Sequence, residues 1–245
     1  LLAHDSDPFN RWEAGQRLFG QLIRSAVVRL ALGEAVDWPP SVLAAARQVL
    51  VGAGDPAFIA EALTLPGEAT LAEQMEVVDP ELLHLARTGL ARHLAHGLQS
   101  DLARLYDTLA PFGPYRPETL AVGRRRLRNL CLSYLNELDT GEHRALARQQ
   151  FDDADNMTDQ FAALSVLANA PGAHENEEGE SALDAFYARW QHEALVVDKW
   201  LAVQASSRLP GTLARVESLT SHPAFDLKNP NKIYALLRTF GANHR

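Results

Sequence analysis

Residues 79–109 read DPELLHLARTGLARHLAHGLQSDLARLYDTL. The opening Asp79-Pro80 is typical of a helix start, with aspartate as the N-cap and proline in the first turn. Gly89 and Gly97 interrupt the pattern and indicate either close packing against a neighbour or a break. The apolar positions recur every three or four residues and predict one long amphipathic helix: Leu83, Ala86, Leu90, Leu94, Leu98, Leu102, Leu105 and Leu109.

Comparable helix signals run along nearly the whole chain. Asp7-Pro8 and Asp55-Pro56 repeat the aspartate–proline start, and Pro39-Pro40 begins another helix. Because no strand pattern is found, we predict an all-α fold of stacked antiparallel helix pairs, an α-solenoid or superhelical array of the armadillo or HEAT kind. Further helices are expected at 117–138 and 142–154, after Asn156, from Ser181 through Leu201, and near 211–220 and 230–240.

The domain organisation follows from this succession of helices. We expect residues 1–245 to form a single all-helical domain with one acidic, turn-rich loop at 170–180. The sequence has no initiator methionine, so we expect it to begin inside a longer gene product. No targeting segment is recognised in its first residues.

Composition narrows the class of partner. The chain is 47% hydrophobic and 22% charged, which is normal for a soluble globular protein, and its formal net charge is -8. That acidity argues against a nucleic-acid or membrane-surface partner. Its single cysteine, Cys131, lies in a periodic apolar stretch and is expected to be a buried thiol. A lone cysteine fits a reducing compartment, so we expect a cytoplasmic protein.

Three polar phrases occur at or inside predicted amphipathic helices. They are NMTD at 156–159, VDKW at 197–200 and NPNK at 229–232. Asn156 and Asp159 have the spacing of a capping box, which is a sufficient structural explanation. Asp198 lies on an apolar stripe and should be paired if it is buried, by an arginine or by a backbone amide at a helix end.

The third phrase, NPNK at 229–232, has the composition of a helix start. Capping by Asn229 is the simpler interpretation. The alternative is an anion site, in which free amides at the helix start bind a carboxylate and Lys232 reinforces them.

Metal and nucleic-acid sites have only weak support in the sequence. A zinc peptidase needs His-Glu-x-x-His on one helix, and in the nearest match, His192-Glu193-Ala194-Leu195-Val196, valine replaces the second histidine. His93 and His96 could share a helix face, but a partly exposed surface is the simpler interpretation. The arginines at 124–126 and 128 could contact phosphate; a solvated face or a salt-bridged surface fits the acidic chain better.

Together with the opening DSDPFNRWEA at 5–14, the three polar phrases resemble the C-terminal helical region of bacterial aminopeptidase N, a family of zinc-dependent exopeptidases. The resemblance implies a domain, truncated at both ends, that closes over a catalytic domain and restricts access to the peptide-binding cavity. The candidate cavity or interdomain residues that it implies are Asn156, Asp159, Asp198, Lys199, Asn229, Asn231 and Lys232.

The same resemblance implies that the chemistry lies outside this chain. We expect no catalytic residue, no metal ligand and no cofactor here, whereas the implied parent is a zinc metalloaminopeptidase of the alanyl aminopeptidase type. The implied partners are the catalytic and β-sandwich domains of the same parent chain, with short peptides as the parent's substrates, and no nucleic acid or membrane. The alternative is an independent α-helical protein-interaction scaffold without a catalytic role.

Overall fold

The computed structural model describes residues 1–111, 113–170 and 177–243, and within these ranges it contains helices and no strand. The predicted all-α class is therefore confirmed. The chain divides into two compact units, Leu1–Leu138 and Asp139–Arg245. None of the helices in these ranges combines the length and the apolar character that a bilayer crossing requires.

Local capping explains where the helices of the first unit begin. Asp7 Oδ1 accepts a hydrogen bond from Asn10 N at 2.9 Å, and Asp79 Oδ1 accepts one from Leu82 N at 3.0 Å. In each case the next residue is proline, whose missing N–H is not needed in the first turn. The helices of this unit are α1 (Pro8–Ala31), α2 (Pro40–Val51), α3 (Pro56–Ala62), α4 (Glu68–Ala72), α5 (Pro80–Thr108) and α6 (Thr119–Asn136).

Helix α5 lies at the centre of the first unit, where it packs against α1, α2, α4 and α6. Most of its predicted apolar stripe is buried, and Leu105 is half-buried. Fully burying one leucine contributes about 1.5–3 kcal/mol, so five of them supply on the order of 10 kcal/mol before chain entropy is subtracted. The five leucines that are at most 4% exposed are Leu83, Leu90, Leu94, Leu98 and Leu102.

The two glycines inside α5 mark close packing and not a break, because the helix continues through both. A Cβ atom on Gly97 would overlap the side chain of Leu43 on α2. A Cβ atom on Gly89 would lie 3.4 Å from the ring of Trp38, just before α2. Gly97 therefore allows α2 to approach α5 more closely than alanine would, whereas a Cβ atom on Gly89 would make an ordinary contact.

The second unit is built around α8 and α10. Helix α8 packs against α7, α9 and α10, and α10 also packs against α11 and the last helical segment. Phe186 and Trp200 are buried at this centre. The elements are α7 (Gly141–Asp153), α8 (Met157–Asn169), α9 (Glu177–Trp190), α10 (Ala194–Ala205), α11 (Thr212–Leu219), α12 (Pro230–Ile233), a π-helical turn (Tyr234–Arg238) and α13 (Thr239–Gly241).

The prediction of one long helix from Ser181 through Leu201 is wrong. The chain turns between Trp190 and Ala194, and α10 packs back on α9. Trp200 Nε1 donates a hydrogen bond to the carbonyl of Leu183 at 3.0 Å. In a straight helix these two residues would be about 25 Å apart, so the contact that buries Trp200 requires the turn.

The acidic loop is shorter at its end than predicted. Residues 171–176 lie outside the described residues, but Glu177 already begins α9, so the predicted loop residues 177–180 are helical. The short helix α4 was not predicted, because its five residues are too few to show a periodicity.

The last helical segment changes its geometry at Tyr234. Residues 230–233 are α-helical, the next five form a π-helical turn, and α13 follows. The hydroxyl of Thr239 donates to the carbonyl of Tyr234 at 3.0 Å, which gives that carbonyl a partner within the widened turn. The guanidinium of Arg238 lies 5.4 Å from the centroid of the exposed Tyr234 ring.

The contact between Gly97 and Leu43 can be tested by substitution. Gly97→Ala should destabilise the first unit by about 1–2 kcal/mol, because overpacking outweighs the roughly 1 kcal/mol that alanine gains in helix propensity. Urea unfolding followed by circular dichroism measures the change.

Leu43→Ala provides the matched background for this test. It removes the atoms that the new methyl group would meet, so Gly97→Ala should be neutral or stabilising there. An equal loss of stability in both backgrounds would show that this contact is not the cause.

Candidate functional site

A buried ion pair joins two of the predicted site residues. The Nζ atom of Lys232 lies 2.7 Å from Asp198 Oδ1, and it donates a hydrogen bond to the carbonyl of Ala194 at 3.1 Å. The side chains are 9% and 18% exposed for lysine and aspartate. The prediction that Asp198 must be paired is confirmed. Its partner is a lysine of α12 and not the arginine or backbone amide that we expected.

The start of α12 is a capped helix end. The side chain of Asn229 accepts a hydrogen bond from Asn231 N at 3.0 Å, which confirms the capping interpretation. The alternative anion site required Lys232 to reinforce the helix start, but its ammonium group contacts α10 instead. The side chain of Asn231 is exposed.

Asn156 and Asp159 form the predicted capping arrangement at the start of α8. Asn156 Oδ1 accepts from Asp159 N at 3.0 Å, and Asn156 Nδ2 donates to Asp159 Oδ2 at 2.9 Å. Gln150 on α7 donates to the backbone carbonyl of Asp159 at 3.0 Å. Asp159 is only 4% exposed. Its backbone carbonyl meets α7, and its carboxylate accepts from Asn156 and is not presented to solvent.

Lys199 differs from its neighbour Asp198 because it lies on the exposed side of α10. Its ammonium group is 5.8 Å from the ring centroid of Phe161 on α8, within range of a cation–π interaction. The structure thus places Asp198 with Lys232 and Asn156 with Asp159, and leaves Lys199 and Asn231 exposed. That these residues line a cavity or an interdomain face stays a prediction.

Two buried glutamines of the second unit were missed by sequence reasoning. Gln160 accepts a hydrogen bond from Trp190 Nε1 at 2.6 Å, and Gln204 accepts one from Arg215 Nη1 at 3.1 Å. Arg215 also forms an ion pair with Glu180. The available signal was an amide on an apolar helix face, which needs a partner when buried. The partners are distant in sequence, so the pattern did not reveal them.

The described residues offer no metal centre. No group of three histidine, cysteine, aspartate or glutamate side chains in this part of the chain is arranged to hold a metal ion. His93 is half-buried with its ring centroid 6.3 Å from that of Trp38. Its pKa is lowered, mainly because burial disfavours the charged ring and also because His96 is nearby. The described residues therefore do not supply the set of ligands that the zinc of the implied parent would need.

The basic cluster on α6 makes its contacts within the first unit. Arg124 donates to the carbonyl of Thr108 at 2.8 Å, and Arg126 forms an ion pair with Glu61 on α3. Arg128 donates to the carbonyl of Tyr106 at 3.3 Å. These contacts favour the salt-bridged surface over a phosphate-binding site, since they give the guanidinium groups partners at the end of α5 and on α3.

Cys131 is a buried thiol, as predicted. It is 0% exposed on α6, and burial raises its pKa to about 12. A thiolate is the reactive form of cysteine, so this residue does not have the character of a nucleophile.

The whole length of the chain, residues 1–245, matches the family model described as "Domain of unknown function (DUF3458_C) ARM repeats". The chain therefore belongs to the DUF3458_C family. The ARM-repeat description agrees with the predicted solenoid class of stacked helix pairs.

The similar proteins include three bacterial relatives named aminopeptidase N. The Caulobacter vibrioides protein is 39% identical over 98% of this chain. The Haemophilus influenzae and Escherichia coli proteins are 36% and 34% identical, each over 100% of the chain. The chain spans only 27–28% of the length of these relatives.

A solved structure gives the same result. The crystal structure of Legionella pneumophila aminopeptidase A in complex with aspartic acid matches with a TM-score of 0.84 and 31% identity, over 98% of this chain and 28% of that chain. These findings fit the C-terminal domain of aminopeptidase N, the family that the sequence resembles.

Breaking the Asp198–Lys232 pair should be strongly destabilising. Lys232→Met leaves a largely buried carboxylate without its cation, which should lower the free energy of unfolding by about 2–3 kcal/mol. Denaturant unfolding measures this change. Lys199→Met is the matched control on the exposed side of α10, with an expected change within about 0.5 kcal/mol.

The double variant Asp198→Leu, Lys232→Met separates pairing from packing. Removing both charges should restore most of the loss, because a buried ion pair can often be replaced by apolar side chains. A double variant less stable than Lys232→Met would contradict this account.

The thiol of Cys131 should be unreactive in the folded chain. At pH 8 we expect Ellman's reagent to label it only after denaturant is added, since the group is buried and its pKa is about 12. The release of thionitrobenzoate measures the labelling. Rapid labelling of the native chain would instead indicate an accessible thiolate.

Proposed function

We propose that this chain is the C-terminal helical domain of a zinc-dependent aminopeptidase of the aminopeptidase N type. In this proposal it closes over the catalytic domain and restricts access to the peptide-binding cavity, and the parent removes N-terminal residues from peptides. The observation that carries the proposal is the match of the whole chain to about a quarter of three relatives named aminopeptidase N.

The chain's own contribution would be structural. Its described residues contain no set of three metal ligands, and its cysteine is buried with a raised pKa. Zinc and the residue that activates water would therefore belong to the rest of the parent. The partners would be the catalytic and β-sandwich domains of the same chain and short peptides, in a cytoplasmic protein without nucleic-acid or membrane partners.

The predicted site residues would divide into two roles. Lys199 and Asn231 are exposed, so their side chains could contact a peptide or the catalytic domain. Asp159 and Lys232 are buried and would act by holding the helices that carry the exposed residues. Asp198, Asn156 and Asn229 contribute to the same support through the ion pair and the two caps.

The experiment compares the parent enzyme with a version that lacks residues 1–245. We expect both to require zinc, and we expect kcat/KM for a long unfolded peptide relative to a tripeptide to be higher in the shortened enzyme. The reason is that the domain would limit the size of peptide that reaches the cavity. Both substrates carry the same N-terminal residue, so tripeptide turnover is the internal control for an intact catalytic site.

Two further measurements separate this proposal from an independent scaffold. The isolated chain should show no zinc-dependent hydrolysis of alanyl anilides, and adding it to the shortened enzyme should restore size selection. Zinc-dependent turnover by the pure chain would contradict the proposal. Unchanged selection after removal of the domain would favour a scaffold.

A further inference from the structure

A cavity of about 230 Å³ lies in the first unit, between the start of the chain and helices α1, α2 and α3. Its size suits a small functional group with a short substituent and is below that of a typical cofactor site, for which about 300–1,000 Å³ is usual. One lining residue, Arg11, belongs to the DSDPFNRWEA phrase at 5–14, and none of the lining residues belongs to the candidate site of the second unit. The lining residues are Ala3, Arg11, Gln48, Val49, Gly52, Ala53, Gly54 and Ile59.

Arg11 is held in a fixed orientation at this cavity. Its Nε atom donates a hydrogen bond to the carbonyl of Leu2 at 2.9 Å, and its guanidinium carbon lies 4.8 Å from the ring centroid of Phe58. Across the described ranges, its Nη1 and Nη2 atoms have no hydrogen-bond partner and no carboxylate lies within ion-pair distance. The two terminal amino groups therefore remain available as a planar, prepositioned pair of donors.

Arg11 has no acidic partner among the described residues, unlike two other arginines of the first unit. Arg17 pairs with Glu13 at 2.6 Å and Arg47 with Asp101 at 3.1 Å. The chain as a whole has a formal net charge of -8, so carboxylates are abundant. The cavity nevertheless has one arginine and no acidic side chain in its lining. A part-buried cation in such a setting favours an anionic ligand.

The turn after α2 contributes a second kind of donor. Gly54 N donates to the carbonyl of Gly52 at 2.9 Å, which closes a tight turn. A Cβ atom on Gly52 would lie 2.9 Å from the carbonyl oxygen of Gln48, so the backbone path needs glycine there. In the described part of the chain, the N–H of Ala53 makes no hydrogen bond. It is thus available at the same cavity.

The other lining residues determine which chemical group next to the anion the cavity would accept. Val49 and Ile59 are 1% and 4% exposed, and with Ala3 they form an apolar surface. The amide of Gln48 is 3.4 Å from His4 Nδ1, which restrains its side chain. The cavity therefore combines a fork of guanidinium donors, a backbone donor and short apolar walls.

We propose that this cavity, defined here as the Arg11 pocket, binds a carboxylate group that carries a small apolar substituent. The planar guanidinium matches the two oxygens of a carboxylate in a bidentate contact. Two sources share this chemistry: the C-terminal carboxylate of a peptide that ends in a small residue, and an acidic side chain from another part of a longer protein. The proposal does not depend on the proposed function.

The test uses N-acetyl-L-alanine as the ligand and N-acetyl-L-alaninamide as its uncharged match. Two-dimensional ¹H–¹⁵N NMR of the 245-residue chain follows the backbone N–H groups of Ala53 and Gly54 and the Nε–H of Arg11. We expect saturable shifts of all three signals with the carboxylate and none with the amide. Equal shifts with both compounds, or no saturation with either, would overturn the proposal for a free ligand.

Substitutions of Arg11 test whether this residue binds the carboxylate. Arg11→Gln should raise the Kd by about tenfold or more, since it removes a charge-assisted bidentate contact. Arg11→Lys keeps the charge but loses the fork, so it should fall between Arg11→Gln and the unchanged chain. Arg17→Gln, on the same helix and outside the cavity, is the matched control and should bind like the unchanged chain.

Thermal unfolding by circular dichroism checks that each variant is folded. If Arg11→Gln is not, the carboxylate–amide comparison and Arg11→Lys still decide the outcome. Equal binding by Arg11→Gln and Arg17→Gln would refute the assignment.

Repeating the titration on a longer protein that contains this chain distinguishes the two sources. If the longer protein still binds N-acetyl-L-alanine, the result supports the C-terminal carboxylate of a peptide as the natural ligand. A pocket that binds only in the 245-residue chain supports an internal carboxylate, and Arg11→Gln should then lower the unfolding temperature of the longer protein more than Arg17→Gln does. Binding in neither form, together with equal unfolding temperatures, would exclude both sources.

Discussion

The long helices in the described residues must each bury an apolar face, and this constraint organises both units. In the first unit the leucine stripe of α5 meets it by packing against four other helices. In the second unit α8 and α10 have the corresponding position around Phe186 and Trp200. Amphipathic helices gain most of their stability from such packing, since short isolated helices are marginal in water.

The cost of burying polar groups explains most of the polar phrases that mark the family. Asp198 lies on an apolar stripe and is accompanied by the Lys232 ammonium group. Asn156 and Asp159 satisfy each other at a helix start, and Asn229 does the same for α12. A buried polar group without a partner would be costly, so residues of this kind are structurally constrained even where they take no part in chemistry.

Features set by neighbouring residues were predictable from the sequence. The starts after Asp7 and Asp79 depend on a side chain and an amide three residues apart, and both were found where expected. The turn between α9 and α10 was not predictable, because the apolar period continues through it and only the distant contact of Trp200 with Leu183 requires the reversal. The partner of Asp198 is 34 residues away, too far for local spacing to identify.

The Arg11 pocket illustrates the same limit. The residue stands in a phrase that signals a helix start, and nothing in its neighbours distinguishes it from a surface arginine. Its character arises when α1, the end of α2 and the start of α3 converge. Long-range packing, and not local pattern, gives an ordinary residue its chemical setting.

The π-helical turn at Tyr234–Arg238 has a consequence for how the last helical segment meets its surroundings. A π turn accommodates one more residue than an α turn, so the angular positions of side chains after Arg238 are offset by roughly 100° from those that a continuous α-helix would give. Lys232 and Leu236 are buried. The residues of α13 therefore do not continue the straight line along the helix surface on which these two side chains lie. The three parts of this continuous segment, α12, the π-helical turn and α13, nevertheless all pack against α10.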